Sequence, residues 1–320
     1  VSVFGGSTAN TEFEFLTGNS VAFLHSGVVP YMQYIKRNQE SLAAELKSYG
    51  YQTIAFHPNN ANNYKRSSVY PYLGFERFIT IDDELNYSER LRGYMSDDAD
   101  IKNVIDIYEN RDPSKPFFLF NVTMQNHGDY NRTQSEIDVT VSPKNEDLQY
   151  AQLLEYLSLI KKTDEAIEGL IEYFSQIEDD TIILIFGDHQ PGLDSDIYEA
   201  MDSELYQEIV NINTREKMYM VPFVIWANYD IIEEQDIMIS PGYLRAFLMK
   251  NTGLPLSNYE KFLLDCKDQY PAINFIGYYD KIGNCYEMEE NVKSMEWLQD
   301  YWILEYGNMF DKSLNVEMYE

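Results

Sequence analysis

Residues 181–191 read Thr-Ile-Ile-Leu-Ile-Phe-Gly-Asp-His-Gln-Pro. The apolar run after Thr181 leaves no polar face, so it fits a strand buried on both sides. It falls far short of the ~20 residues that a membrane-spanning helix needs. Gly187 then omits a Cβ where the backbone has to turn sharply, and Pro191 ends the turn. Between them Asp188 and His189 stand side by side. A carboxylate oxygen with an imidazole nitrogen suits a divalent ion such as Mn²⁺, Zn²⁺ or Mg²⁺. The alternative is an ordinary turn in which Asp188 bonds its own backbone.

Working outward, an amphipathic helix is predicted from about Asp147 to Ile177, directly before this strand. The same unit recurs upstream. Glu40–Tyr49 carries apolar residues at helical spacing and stops at Gly50; Tyr51–Phe56 then reads as a strand ending at His57-Pro58. Asp98–Tyr108 reads as a helix, Pro116–Thr123 as a strand buried on both faces, and Met124–Gly128 as the loop after it. Val221–Ala227 supplies one more strand. Alternating helices and continuously apolar strands predict an α/β fold, a mostly parallel central sheet with helices on both faces. Beyond about residue 235, helices at 243–249, 259–264 and 295–306 and a hairpin at 274–284 predict a small C-terminal α+β extension. Residues 1–235 are thus read as a catalytic domain and residues 236–320 as the part that completes it. His57, His127 and His189 each fall just past the carboxyl end of a predicted strand, the edge where open α/β sheets bind ligands. His25 is read as structural.

Composition narrows the partners. The chain has 24 Lys and Arg against 53 Asp and Glu, a net charge of −29, which argues against nucleic acid and against adsorption to an anionic membrane face. With 44% hydrophobic and 15% aromatic residues it is not a disordered acidic chain. Cys266 and Cys285 are the only cysteines; they exclude a disulfide-dense scaffold and a cysteine-rich zinc site, and their pairing is left open. The opening Val1–Gly6 reads as strand and turn already inside a domain. The expectation is a fragment whose beginning lies elsewhere, with no signal peptide or membrane span among its residues.

Two further stretches carry chemistry. In Phe4–Gly18, glycines Gly5 and Gly6 allow close backbone approach and hydroxyl residues follow where a helix begins. Spacing alone favours capping, and Thr11 with Glu14 fits a capping box. The functional alternative makes Thr8 a nucleophile, activated by a metal ion and placed where a helix N-terminus attracts phosphate. On the loop after Phe56, His57 offers an imidazole donor, Arg66 a guanidinium able to grip phosphate oxygens in a bidentate manner, and Tyr64 an aromatic face for a small polyol. The alternative is a solvated Lys65-Arg66 pair.

Together these segments resemble the lipoteichoic acid synthase branch of the sulfatase and alkaline phosphatase superfamily. The likeness rests on Gly5–Gly18, on His57–Arg66 with Tyr70–Phe75 after it, on Pro116–His127, and on Ile185–Pro191. It spans Val1 to about Asp230. It implies a protein anchored in the bacterial membrane through a segment ahead of Val1. Its catalytic domain would lie on the extracellular side and transfer glycerol phosphate from phosphatidylglycerol to a polyglycerolphosphate acceptor. By the same likeness Thr8 is nucleophile and Mn²⁺ ligand, and Asp188 and His189 are further ligands. His57, Tyr64, Arg66 and His127 would hold the glycerol phosphate group, and His127 would also serve in catalysis. The Cys/Ser-x-Pro-x-Arg motif of formylglycine sulfatases is absent, which argues against sulfate ester hydrolysis. The branch's remaining ligand is a glutamate on a first strand upstream of the nucleophile, so this stretch is expected to lack that strand, with weakened metal affinity and turnover. A metal-dependent phosphodiesterase or phosphatase with water as acceptor, and a non-catalytic module that binds phosphorylated glycans, remain alternatives.

Overall fold

A computed structural model describes residues 1, 3, 7–130, 137–206, 211–288 and 295–311; Gly5 and Gly6 lie outside them. Helix α1 spans Thr8–Thr17 and ends on Gly18, whose left-handed backbone donates its N–H to the Glu14 carbonyl. Short α2 (Pro30–Gln33) and α3 (Leu42–Ser48) precede β1 (Gln52–His57). The unit then repeats through α4 (Arg66–Tyr72) and β2 (Arg77–Thr80), a small hairpin of β3 (Arg90–Leu91) and β4 (Tyr94–Met95), α5 (Asp97–Glu109) and β5 (Phe117–Asn121). The long helix α6 (Ala151–Phe174) leads into β6 (Ile182–Phe186). After α7 (Ser195–Met201) and α8 (Ile212–Lys217) come β7 (Phe223–Ala227), α9 (Pro241–Lys250) and α10 (Asn258–Gln269). A three-stranded antiparallel sheet of β8 (Ala272–Ile273), β9 (Gly277–Tyr279) and β10 (Cys285–Glu287), then α11 (Glu296–Met309), complete the described chain.

Strands β2, β1 and β5 form a parallel sheet in that order. Both faces are apolar, as the uninterrupted runs predict. Phe118 and Phe120 of β5 and Leu184 and Phe186 of β6 turn toward α1, α9 and α10. Their alternates Phe117, Leu119 and Ile183 turn toward α5 and α6, beside Val104, Tyr108, Leu170 and Phe174. The C-terminal helices join the first of these layers, where Tyr243, Tyr259 and Tyr301 pack in one core with Phe13 and Leu16.

The structure adds detail that the sequence left open. Strand β7 begins at Phe223 and runs antiparallel to β6; apolar content reveals burial on two faces and not direction. A Cβ at Gly187 would sit 3.0 Å from the Val221 Cβ, so its small size serves close approach of the segment before β7. Cys266 and Cys285 are both free thiols.

The sheet is also split. Among the described residues β5 pairs only with β1 and β6 only with β7, and apolar side chains of β5 and β6 face each other across one cavity.

Glu14 is fully buried on α1 and accepts hydrogen bonds from Ser20 Oγ at 3.0 Å and Val21 N–H at 2.8 Å. Burial outweighs both bonds and raises its pKa from 4.5 to about 8. The native state therefore holds a proton that the unfolded chain has released. Its contribution is fully present below pH 4.5 and is lost as pH rises through about 8. The stability difference between wild type and E14Q should shift against wild type between pH 4.5 and about pH 8 in urea titrations. A difference that moves toward wild type over that range contradicts the burial argument.

Candidate active site

The carboxyl ends of β1, β5 and β6 and the start of α1 meet at a cavity of about 1330 Å³. Thr8, His57, Tyr64, Arg66, His127, Asp188 and His189 all line it, whereas His25 is exposed and lies elsewhere.

On one wall Thr8 opens α1. The N-cap is Ser7, whose side chain makes no capping bond, so the Thr11–Glu14 capping box does not form. Thr11 instead donates its hydroxyl to the Asp188 carbonyl at 2.7 Å, which ties α1 to the turn after β6. Thr8 Oγ1 donates to Asp188 Oδ2 at 2.6 Å. His189 Nε2 lies 3.3 Å from the same oxygen.

These three atoms can be tested as ligands. His189 Nδ1 lies 2.7 Å from the Gln190 carbonyl, which only accepts, so Nδ1 carries the proton. When Nε2 carries no proton, its lone pair stands beside the Asp188 carboxylate, and a histidine anchored through its other nitrogen to a carbonyl is how metal ligands are held. Oxygen, oxygen and nitrogen donors fit a divalent ion. Only two of the three are acid or imidazole groups, and among the described residues no cluster of three such groups occurs.

The opposite wall differs from its sequence reading. Arg66 is almost wholly buried. Its Nε donates to Glu12 Oε1 at 3.1 Å and Oε2 at 3.2 Å, and its Nη2 pairs with Oε1. One edge of the guanidinium is thus taken, and Nη1 lies 3.4 Å from His57 Nε2 and donates to the Asn63 carbonyl, also at 3.4 Å. His57 Nδ1 lies 2.8 Å from the Val122 carbonyl. A carbonyl accepts and a guanidinium donates, so His57 carries its proton on Nδ1 and a lone pair on Nε2. Burial, followed by the Arg66 charge, lowers its pKa to about 4. The neutral imidazole therefore directs its lone pair at Arg66 Nη1 and is not the donor expected from sequence. Tyr64, held at φ 53°, lays its ring 5.2 Å from the Arg66 guanidinium carbon.

His127 stands on the loop after β5, with Nδ1 2.6 Å from the Gly128 carbonyl and its ring 5.4 Å from that of Tyr94. Arg92 of the β3–β4 turn holds this loop. Its Nη1 donates to the His127 carbonyl at 3.1 Å, its Nη2 to the Asp129 carbonyl, and its Nε pairs with Glu155 of α6 at 2.7 Å. Arg92, Glu155 and Glu12 escaped the sequence reading. Only Glu12 left a signal, four residues after Thr8 and so on the same helical face.

A sheet split between the parallel β2-β1-β5 part and the antiparallel β6-β7 pair and flanked by helices, with a threonine and an Asp-His pair at the strand ends, defines an α/β protein with its candidate site at that edge. The chain belongs to the sulfatase family, whose sequence profile matches residues 1–254. It is 30% identical over 321 residues to a Rhizobium meliloti protein provisionally described as a cyclic β-1,2-glucan modification protein, covering 99% of this chain and 50% of the relative. It is 24% identical to lipoteichoic acid synthase 2 of Bacillus subtilis, covering 69% of this chain and 33% of that one. Its fold is similar to that of a Streptococcus pyogenes phosphoglycerol transferase in complex with sn-glycerol-1-phosphate, with a TM-score of 0.75 and 22% identity over 100% of this chain and 79% of the other. The chain spans half the length of the R. meliloti relative and a third of the B. subtilis one.

Proposed function

We propose that this domain transfers glycerol phosphate from phosphatidylglycerol to a hydroxyl of a teichoic acid-type polymer through a covalent intermediate on Thr8. The observation that carries the reading is the 2.6 Å bond from Thr8 Oγ1 to Asp188 Oδ2, opposite the pocket of His57, Tyr64, Arg66 and His127. Thr8 Oγ1 attacks phosphorus and Asp188 Oδ2 takes its proton. The bond to the diacylglycerol oxygen breaks, and that oxygen takes a proton from His127. An acceptor hydroxyl then attacks phosphorus and gives its proton to His127, while Thr8 recovers its own from Asp188. Arg66 Nη1 balances phosphoryl charge, and the His57 and Tyr64 rings wall the side of the pocket that takes the polyol. Thr8, Asp188 and His189 would hold Mn²⁺, or Mg²⁺ or Zn²⁺; when bound, such an ion lowers the pKa of the hydroxyl it touches and screens phosphoryl charge.

The description of the R. meliloti relative supports a second acceptor class, the hydroxyl of a glucan. A lipid donor and the likeness to lipoteichoic acid synthase support a place on the outer side of a bacterial membrane, anchored by polypeptide outside these residues. No helix among the described residues is long and apolar enough to cross a membrane. The facing open edges of β5 and β6 support one further strand between them, from the same outlying polypeptide, bringing another acidic ligand.

The test is a time course with full-length protein and vesicles of labelled phosphatidylglycerol. Without acceptor, diacylglycerol should appear as a burst of about one equivalent per enzyme, and added polyglycerolphosphate should restore steady turnover. Steady release of free glycerol phosphate without acceptor would favour hydrolysis instead.

A further inference from the structure

The hairpin of β3 and β4 closes through two residues, Arg92 and Gly93, because Leu91 pairs with Tyr94. Both take left-handed backbone, with φ 53° at Arg92 and 82° at Gly93, the pattern of a type I′ turn. Asn, Asp or Gly ordinarily fills the first of these positions, and an arginine there is strained. Its side chain is withdrawn from solvent, 8% exposed, and reaches the loop after β5. Nη1 donates to the His127 carbonyl at 3.1 Å, Nη2 to the Asp129 carbonyl, and Nε lies 2.7 Å from Glu155 of α6, itself 1% exposed. The guanidinium carbon also sits 5.0 Å from the centre of the Tyr130 ring. Tyr94 of the same hairpin brings its Oη within 3.3 Å of His127 Nδ1. Arg92 takes no part in the proton transfers, yet two of its nitrogens hold backbone on either side of Gly128.

We propose that Arg92 is a positioning residue for proton transfer: tied to α6 through Glu155, it holds the loop backbone so that the His127 imidazole meets the leaving oxygen of the donor. This rests on the glycerol phosphate reading, which makes His127 the acid for diacylglycerol departure and the base for the acceptor hydroxyl. His127 Nδ1 lies 2.6 Å from the Gly128 carbonyl, which only accepts, so Nδ1 keeps a proton and Nε2 is the nitrogen that exchanges one. His127 is exposed, so its placement falls to the loop backbone and the Tyr94 ring. A shift of about 1 Å in a group that transfers a proton costs on the order of 10²-fold in rate. Thr8 and Arg66 stand on other elements, so the loss falls on the protonation of the leaving oxygen and not on attack or phosphate binding.

The experiment compares full-length wild type, R92K, H127A and the double variant R92K/H127A. R92K keeps a cation beside Glu155 but replaces a fork that spans two carbonyls with a single ammonium. Each protein is given two donors: phosphatidylglycerol, whose diacylglycerol oxygen needs a proton to leave, and p-nitrophenyl glycerophosphate, whose nitrophenolate leaves without one. The first turnover is followed with no acceptor present. R92K should release diacylglycerol about 30- to 100-fold more slowly than wild type and nitrophenolate within about 3-fold of it. The double variant should be no slower than H127A, because both changes disable one proton transfer. Hydrogen exchange over residues 124–130 should quicken in R92K. If R92K does not fold, Arg92→Met with Glu155→Gln removes both charges together and should give the same pattern. Equal losses on the two donors, or losses that multiply in the double variant, would overturn the proposal. Wild type that releases nothing from either donor would instead sink the glycerol phosphate reading, with hydrogen exchange over 124–130 still deciding whether Arg92 holds the loop.

Discussion

Thr8→Ala is expected to lower phosphatidylglycerol turnover by about 10⁴-fold or more while leaving the fold intact. The hydroxyl lost is the atom assigned the attack on phosphorus, and its one recorded bond is to Asp188 Oδ2. The Asp188 side chain is 40% exposed, so water satisfies the oxygen that Thr8 leaves, and stability should change by less than about 1 kcal/mol. Thr8→Ser keeps the hydroxyl and should keep measurable turnover. Diacylglycerol release and thermal melting, taken on the same preparations, separate the two effects. Turnover near the wild-type rate in the alanine variant would leave Thr8 as no more than the first residue of α1.

The second large effect is on stability. Arg66→Met should destabilise the fold by about 3–5 kcal/mol, because it leaves the Glu12 carboxylate in a buried site without its cation, with the Tyr70 and Tyr31 hydroxyls beside it. Replacing both partners with apolar residues of similar volume should restore most of that loss, since a buried pair repays its own desolvation poorly. Urea unfolding of the single and double variants tests this. The restored double variant should still lack transfer activity, which separates the role of Arg66 in the site from its role in the core. A single variant within about 1 kcal/mol of wild type would mean that Glu12 reaches water or another partner.

How far the sequence led follows from what its patterns encode. Five apolar residues followed by Gly-Asp-His placed Asp188 and His189 correctly at the end of β6, because burial on two faces leaves few alternatives to an interior strand. His57 and His127 were placed at strand ends by the same logic, and all three histidines line one cavity. Pairing across the fold was not legible. Glu12 and Arg66 lie 54 positions apart, and an amphipathic pattern shows which face of α1 is buried without naming the cation that meets it. Arg92 on a two-strand hairpin reads as an ordinary surface residue until α6 brings Glu155 against it. Thr11 and Glu14 satisfied the local rule for a cap, and tertiary partners claimed both: the Asp188 carbonyl took the hydroxyl, and Ser20 and Val21 took the carboxylate. Where a guanidinium points, and which nitrogen of a histidine bears the proton, follow from such contacts alone.

The most direct measurement is mass spectrometry of the Thr8 peptide after full-length protein is incubated with phosphatidylglycerol and no acceptor, then quenched in acid. The account predicts one glycerophosphoryl group on Thr8, removed when polyglycerolphosphate is added before the quench. An unmodified Thr8 peptide, in protein that transfers glycerol phosphate normally once acceptor is supplied, would contradict it.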